Sequence, residues 1–570
     1  MLNHTFSPHK RSRQLFVAGL FFCTLALVIC IIILASVPPV SRDALTHHLF
    51  VPKLYLQHGW IYEIPHIAFS YYPMNLDLLY MIPLYFGNDI VPKYIHFFFG
   101  LLTAWLIYDY LKIRLSQVYG VLGALFFLSI PIIVKLSITV YVDLGLIFFS
   151  TASLLLIFRW LDNGYRLKYL LLAGICCGLA AGTKYNGLVT VFLLTLFIPI
   201  LYVRSNQTTQ SVGRRSVGYG LLFFFITLLV FSPWLIRNYA WTGNPIYPLH
   251  NSLFQHSSEK ENEQKQSQEK ELSETVETSA AVGGGVFVNR RILYHETLWQ
   301  TFLLPLRFFF EGQDDNPRYF DGKLNPFLLL LSFFAFIRKS SDHHLQREKY
   351  ALLAFSFLFF FFSFFQGAMR IRYISPVIPP MIILSMLGLH NIFSMLSCRN
   401  SIKGYSLAFA AMSIPCVMLV YNANYLVQQF QQVQPYSYMS GAVTRDQYIT
   451  RFHMEYPVVQ YANKHVAPDA KVLCLFLGNR GYYMDFQPIF EQPGTNRLFE
   501  EILETNAYQK NSVKTELTHW GITHILMRND LVTSWYRSLD QQDNEAISLF
   551  FKQDAVLLYG SGGYSLFRLR

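Results

Sequence analysis

Charge is scarce in this chain. Only 14% of its 570 residues are Asp, Glu, Lys or Arg, against about 25% in an average soluble domain. With 53% hydrophobic and 17% aromatic residues, too little polar surface remains to cover a soluble fold of this length, so lipid must be the solvent for most of it. The same apolar content excludes disorder over most of the chain. Cysteine is sparse as well. Of the 7 present, Cys23, Cys30, Cys176, Cys177 and Cys416 fall in apolar runs, Cys398 in a basic connector and Cys474 in the C-terminal region, which gives no disulfide framework. Zinc-ligand spacings, a glycine-rich phosphate loop and a serine nucleophile elbow are all missing.

What is present is a series of long apolar runs. In hydrocarbon every backbone N–H and C=O must be satisfied inside its own segment, so a run of about 20 apolar residues reads as a spanning helix. The first is 15–37, preceded by Lys10, Arg11 and Arg13, which place the N-terminus in the cytoplasm by the positive-inside rule. It is too long for a cleaved signal peptide and has no small-residue cleavage site before Pro38-Pro39, so it reads as a signal anchor. Further spans are expected at 91–111, 117–136, 144–160, 168–183, 187–203, 217–236, 325–337, 349–365, 374–395 and 403–422, eleven in all. Strict alternation then puts Lys112/Arg114, Arg159/Arg166/Lys168, Arg204/Arg214/Arg215, Arg338/Lys339/Arg347/Lys349 and Arg399/Lys403 on the cytoplasmic side. Two shorter apolar segments, 75–86 with Asp77 and Pro83 and 297–310 with Pro305 and Arg307, are expected as interfacial helices.

The expected architecture is therefore an α-helical polytopic membrane domain, residues 1–424, followed by a small soluble α/β domain, 425–570. External loops cover 38–90 and 237–325, and the tract 256–285, which begins HSSEKENEQKQSQEKELSETVET, is expected to be disordered. In the tail, β-like runs at 471–477, 523–528, 555–560 and 564–569 alternate with polar helical stretches near 446–464 and 496–519. Ser561, Gly562 and Gly563 should turn a closing hairpin.

Ionisable groups concentrate in the first external loop. Arg42, Asp43, His47, His48, Lys53, His58, Glu63 and His66 all follow the first span directly, more than a plain connector needs. Any single histidine here can simply satisfy backbone or headgroups, and His47, His48, Glu63 and His66 are read as acceptor or loop support. Asp43, one turn past a span, can act as a general base. Asp143 sits at the external mouth of the fourth span, level with Asp43, so two carboxylates from different helices converge on one cleft. Ionisable groups at membrane depth are functional hypotheses by default, though an Asp can also cap the helix it starts. Lys53, Lys184, Arg237 and the Arg370-Ile371-Arg372-Tyr373 group lie on the external side against the positive-inside bias. A lipid phosphate explains them, since Lys and Arg stabilise charge on a departing phosphate; snorkelling to headgroups is the alternative for a lone cation.

The segments DALTHHLFVPKLYL, YVDL, GTKYNGL, RNYAWTGNPIYP and RIRYISPVIPP, taken in this order, resemble the GT-C superfamily of membrane glycosyltransferases that use polyprenyl-phosphate sugars. The likeness covers roughly residues 10–420 and is greatest to the protein O-mannosyltransferase and aminoarabinose-transferase branch in its bacterial form. The resemblance implies an inner-membrane enzyme with a periplasmic C-terminal domain. It implies an inverting sugar transfer from a lipid such as undecaprenyl phosphate to a glycan, lipid or protein hydroxyl. Asp43 would be the first-loop acid and base, and Asp143 the second acid. Lys53, Lys184, Arg237, Arg370, Arg372 and Tyr373 would be candidate donor-phosphate contacts. Asp43 has no adjacent second acid, unlike the protein-mannosylating branch, which weakens the case for a protein acceptor. Two carboxylates without further ligands are too few to assign a divalent cation, and no nucleotide is needed. A transporter or lipid flippase, and a polymerase or ligase using a lipid diphosphate, are the alternatives. The net charge of +11 does not call for nucleic acid: 13 Lys/Arg stand against 14 Asp/Glu from residue 425 on, and 33 against 21 before it, so the surplus belongs to the membrane portion.

Overall fold

The structure, a computed structural model, describes residues 8–206, 212–254, 286–364, 369–397, 402–491, 498, 512–539 and 541–570. The tract 256–285, Cys398 and most of 496–511 lie outside the described residues. The helices used below are α1 (Pro8–Ala35), α2 (Phe50–His58), α3 (Asn75–Tyr85), α4 (Val91–Arg114), α5 (Gln117–Ser129), α6 (Pro131–Ser137), α7 (Asp143–Asp162), α8 (Leu167–Thr183), α9 (Gly187–Ser205) and α10 (Val212–Thr242).

Among the described residues, six helices are long and apolar enough to cross a membrane: 13–35 of α1, then α4, α7, α9, α10 and 371–396. They match six of the eleven expected spans. The expected span 117–136 is broken into α5 and α6, bent by 67°. Pro131 is the cause, since it lacks an N–H and forces Ile130 into an extended conformation (ψ 132°). The Ile132 N–H exposed by the break is taken by Lys323 O at 2.9 Å. The expected span 325–337 contains a helix of 8 residues, Phe327–Phe334. That is about 12 Å long, well short of the about 30 Å of a hydrocarbon core. Between 343 and 364 a longer helix forms, but Arg347, Glu348 and Lys349 charge its first turns. Residues 75–85 are helical as expected for an interfacial segment, and 297–310 splits into two short helices, Leu298–Phe302 and Leu304–Phe310.

Packing follows side-chain size. Helix α7 is buried at the centre, whereas α1 and α10 present Phe16, Phe21, Phe22, Phe225 and Leu229 outward, as lipid-facing helices do. Helix α8 can approach α10 because Gly174 and Gly178 face it: a Cβ on Gly178 would lie 2.7 Å from Thr227 O and 2.6 Å from Val230 Cβ. This is small-residue packing at i, i+4. At one end of the bundle Arg114 pairs with Asp162 and the fully buried Glu348, Arg347 pairs with Asp162, and Arg347 Nη1 donates to Ser205 Oγ at 2.7 Å. The ends of α4, α7, α9 and the helix beginning at His343 therefore share one side, as the charge alternation requires.

The last long helix, Ile402–Val433, runs past the expected limit at 424. Beyond it five strands form one sheet in the order β2-β1-β3-β5-β4, with β1 (Lys471–Leu475), β2 (Gln487–Glu491), β3 (Ile522–Arg528), β4 (Ala555–Ser561) and β5 (Tyr564–Leu569). β1 pairs in parallel with β2 and β3, while β5 runs antiparallel to β3 and β4. Val472 to Leu475 are all buried because both faces of β1 are covered. Leu473 and Leu475 pack with Leu517, Ile525 and Phe550, whereas Val472 and Cys474 pack with Val458, Val459 and Leu566. Gly562 and Gly563, at φ 61° and 83°, make the hairpin turn. Strand β2, a five-residue run holding Pro488 with Gln487 and Glu491 at its ends, is an element the alternation rule passes over.

Candidate active site

Helix α1 stops at Pro38-Pro39, which cannot continue it. Just beyond its end, Lys93 Nζ of α4 donates to Val37 O at 2.7 Å. The chain then makes a π-helical turn, Ala44–His48, before entering α2. Such turns are frequent at functional sites. Here the i→i+5 spacing brings Asp43, His47 and His48 together, with one ligand atom from each within 4.8 Å of the others.

Asp43 Oδ2 accepts from Arg372 Nη1. The Arg372 guanidinium also lies over the rings of Tyr141 at 5.0 Å and Tyr373 at 5.4 Å. Burial alone would push the Asp43 carboxyl up. The guanidinium, helped by His47 and His48, overcomes it and holds the group well below the usual carboxylate range. His47 stacks on Phe69 at 4.3 Å and touches His48 at 4.0 Å between ring centroids. His48 Nδ1 meets Asp77 Oδ1 at 2.8 Å, joining the π turn to α3. Burial disfavours charge on every member of this group: it lowers both imidazoles to about 3 and raises Asp77 to about 7.

Asp143 is wholly buried at the start of α7 but does not cap it. The cap is His96, whose Nε2 accepts from Leu144 N–H at 2.9 Å while its Nδ1–H donates to Leu136 O at 2.9 Å. The Asp143 carboxylate instead takes Lys184 Nζ on Oδ1 at 2.8 Å, and its buried Oδ2 has no hydrogen-bond partner. Lys184 ends α8, and its ammonium lies 5.1 Å from the Tyr373 ring centroid. Tyr373 is thus flanked by two cations, each paired with one of the two acids. Arg372 is within electrostatic reach of both Asp43 and Asp143.

The structure thereby brings together Asp43, His47, His48, Asp143, Lys184, Arg372 and Tyr373. Arg237, Glu63, His66 and Lys53 make their contacts elsewhere. Arg237 lies between Trp234 and Trp241 and donates to Tyr71 O at 2.6 Å. Arg370 faces Asp321 at 3.8 Å, beside a cluster in which Lys135 meets Asp314, Asp315 and Asp321, and stays within electrostatic reach of Asp43 and Tyr373. Glu63 accepts from Tyr71 OH at 2.6 Å, and His66 is exposed. Lys53 donates to the C-terminal domain, to Tyr482 O, Met484 O and Asp485 Oδ1. Residue-by-residue reading missed Asp77, Tyr141 and His96. A lone acid in an apolar helix was the available signal for Asp77.

Asp43, His47 and His48 also form an oxygen-and-nitrogen donor set of the kind transition metals take, and Asp77 stands where an outer-sphere carboxylate orients a ligating imidazole. Asp143 is not part of that set. Arg372 on Asp43 places a fixed positive charge beside any ion there, so the residues do not make a cage for a hard divalent cation.

Two carboxylates, two cations and two histidines thus lie together in one cluster. Residues 82–236 match the family model of the dolichyl-phosphate-mannose-protein mannosyltransferases. The chain is similar in structure to ArnT from Cupriavidus metallidurans in the apo state, with a TM-score of 0.56, 13% identity and 98% of both chains covered. For the same protein bound to undecaprenyl phosphate the TM-score is 0.53, with 13% identity and 97% of both chains covered. An oligosaccharyltransferase of Archaeoglobus fulgidus, tethered with an acceptor peptide, matches with a TM-score of 0.51 and 13% identity over 95% of this chain and 74% of that one. Among curated proteins no sequence matches. The fold is thus the ArnT-like GT-C fold that the ordered motifs imply. With the family match over residues 82–236 it supports a membrane glycosyltransferase.

Proposed function

We propose that this protein moves a sugar from a polyprenyl-phosphate donor to an acceptor hydroxyl, in one inverting displacement at the membrane face covered by the C-terminal domain. That face is periplasmic in this reading, and the membrane is the bacterial inner membrane. The observation that carries it is the double pairing Asp43–Arg372 and Asp143–Lys184 around Tyr373. While Arg372 holds Asp43, the carboxylate is a weak base. An incoming donor phosphate competes for the guanidinium through charge-assisted hydrogen bonds, and Asp43 is released to the acceptor. Its carboxylate then takes the hydroxyl proton as the acceptor oxygen bonds to the anomeric carbon. The bond from that carbon to the phosphate oxygen breaks, and polyprenyl phosphate leaves with its charge stabilised by Arg372 and Lys184. Asp143 positions the acceptor, and the His48–Asp77 pair supports the turn that presents Asp43. That ArnT from C. metallidurans has been seen with undecaprenyl phosphate makes this lipid the donor carrier to try first.

The test is Asp43→Asn in purified protein supplied with undecaprenyl-phosphate sugars and membrane acceptors. Transfer should fall at least about 100-fold, with the protein still folded in the membrane. Full activity in the variant would remove Asp43 as the base. Mass spectrometry of lipids, lipopolysaccharide and envelope proteins with and without the gene would identify sugar and acceptor together.

A further inference from the structure

We infer that the C-terminal domain is a brace for the catalytic loop and that Lys53 is the positioning residue through which it acts. This rests on the role proposed for Asp43. A lysine ammonium has three donors, and all three of Lys53 are used by one loop of the C-terminal domain: Tyr482 O at 2.9 Å, Met484 O at 2.8 Å and Asp485 Oδ1 at 2.8 Å. A phosphate could take this ammonium only by undoing those bonds. The same loop reaches the π turn itself, where Tyr482 N–H donates to Leu45 O at 3.1 Å, two residues from Asp43. Further fastenings run along the segment between α1 and the turn. Tyr483 OH donates to Pro39 O at 2.8 Å, and His453 Nε2–H donates to Val40 O at 2.8 Å. Gly481 lies flat on the buried Phe50 ring, so that a Cβ there would be 2.3 Å from Phe50 Cζ. The stretch Pro39 to Lys53 is therefore held on one side by the membrane bundle, through Arg372 and Asp77, and on the other by residues 453–485.

A π turn is a sparsely used conformation, and one that carries a reacting group needs support from both sides to keep its geometry, because about 1 Å of misplacement can cost about 100-fold in rate. Removing the brace should then lower turnover while leaving donor binding to Arg372 and Lys184.

The experiment uses the full chain with Lys53→Met, Gly481→Val and both together. Initial rates are measured against undecaprenyl-phosphate sugar concentration, and amide hydrogen exchange is followed in detergent. The expected result is a fall in kcat of about 10- to 100-fold with KM for the donor within about twofold. The double variant should be no slower than the slower single one, and faster exchange should appear across 39–53 while α7 and α8 stay protected. Multiplying effects in the double variant would show that Lys53 and Gly481 act independently, and a Lys53→Met defect confined to donor KM would make Lys53 a phosphate ligand; either would overturn the positioning role. Unchanged exchange across 39–53 in Gly481→Val would overturn the brace. Absence of transfer by the wild type from any polyprenyl-phosphate sugar would instead refute the proposed function, and the exchange data would still decide the brace.

Discussion

Arg372→Met is the most informative single perturbation of this site. Arg372 and Asp43 are 9% and 14% exposed at their side chains, so the pair sits where water screens it little. Removing one partner of such a pair leaves an uncompensated charge and costs about 3–5 kcal/mol. Replacing both, as Asp43→Asn with Arg372→Met, leaves only neutral polar groups short of partners, at about 1–3 kcal/mol. The double variant should therefore be the more stable of the two by about 2 kcal/mol. The dependence on pH should also change sign. In the wild type the Asp43 carboxyl is held below its ordinary value of 3.8, so its contribution is present above that value and is lost as pH falls toward the folded one. Without Arg372 burial dominates, the folded value rises above 3.8, and stability is greatest in acid and declines as pH rises. Unfolding of purified protein by SDS in mixed micelles, at about pH 5 and about pH 8, measures both effects. Additive costs in the double variant, or an Arg372→Met protein no less stable at about pH 8 than at about pH 5, would refute a buried Asp43–Arg372 pair.

Asp77 gives a second test through pH. Its carboxyl is raised to about 7 from 3.8 by burial, so the folded state keeps a proton that the unfolded state has released. The stability this contributes is present in acid and is lost as pH rises toward 7. The wild type should exceed Asp77→Asn by more at about pH 4.5 than at about pH 7.5; an equal difference at both would contradict the buried His48–Asp77 pair. For the bundle, Gly178→Leu should cost about 1–3 kcal/mol or more by forcing α8 away from Thr227 and Val230 on α10. Gly213→Leu, with nothing within 4 Å of its Cβ position, should change SDS stability little, and equal losses in the two would count against the close α8–α10 contact.

Much of the bundle was legible because hydrocarbon forbids unsatisfied backbone, which makes long apolar runs and basic loops readable one segment at a time. Asp43, Asp143 and the Arg-Ile-Arg-Tyr group stood out for the same reason, as charge where charge is costly. The strand runs of the tail were legible from alternation and turn residues, apart from β2. What could not be read was pairing. Nothing local says that Lys53 turns to Tyr482, Met484 and Asp485, 429 and more residues away, while Arg372 turns to Asp43 across 329. Both are cations on the same side of the topology, and only the packing of α2 against the C-terminal domain separates them.

The sequence by itself determined that lipid is the solvent for most of the chain and singled out the acids and cations whose charge is costly there. Scarce charge carries that information, since every ionisable group in an apolar chain must be accounted for. Tertiary structure alone decided which cation neutralises which acid, that His96 caps α7 and leaves Asp143 to Lys184, and that the soluble domain grips the loop bearing Asp43. These are matters of distance between segments far apart in the chain, and distance is set only when the whole bundle closes.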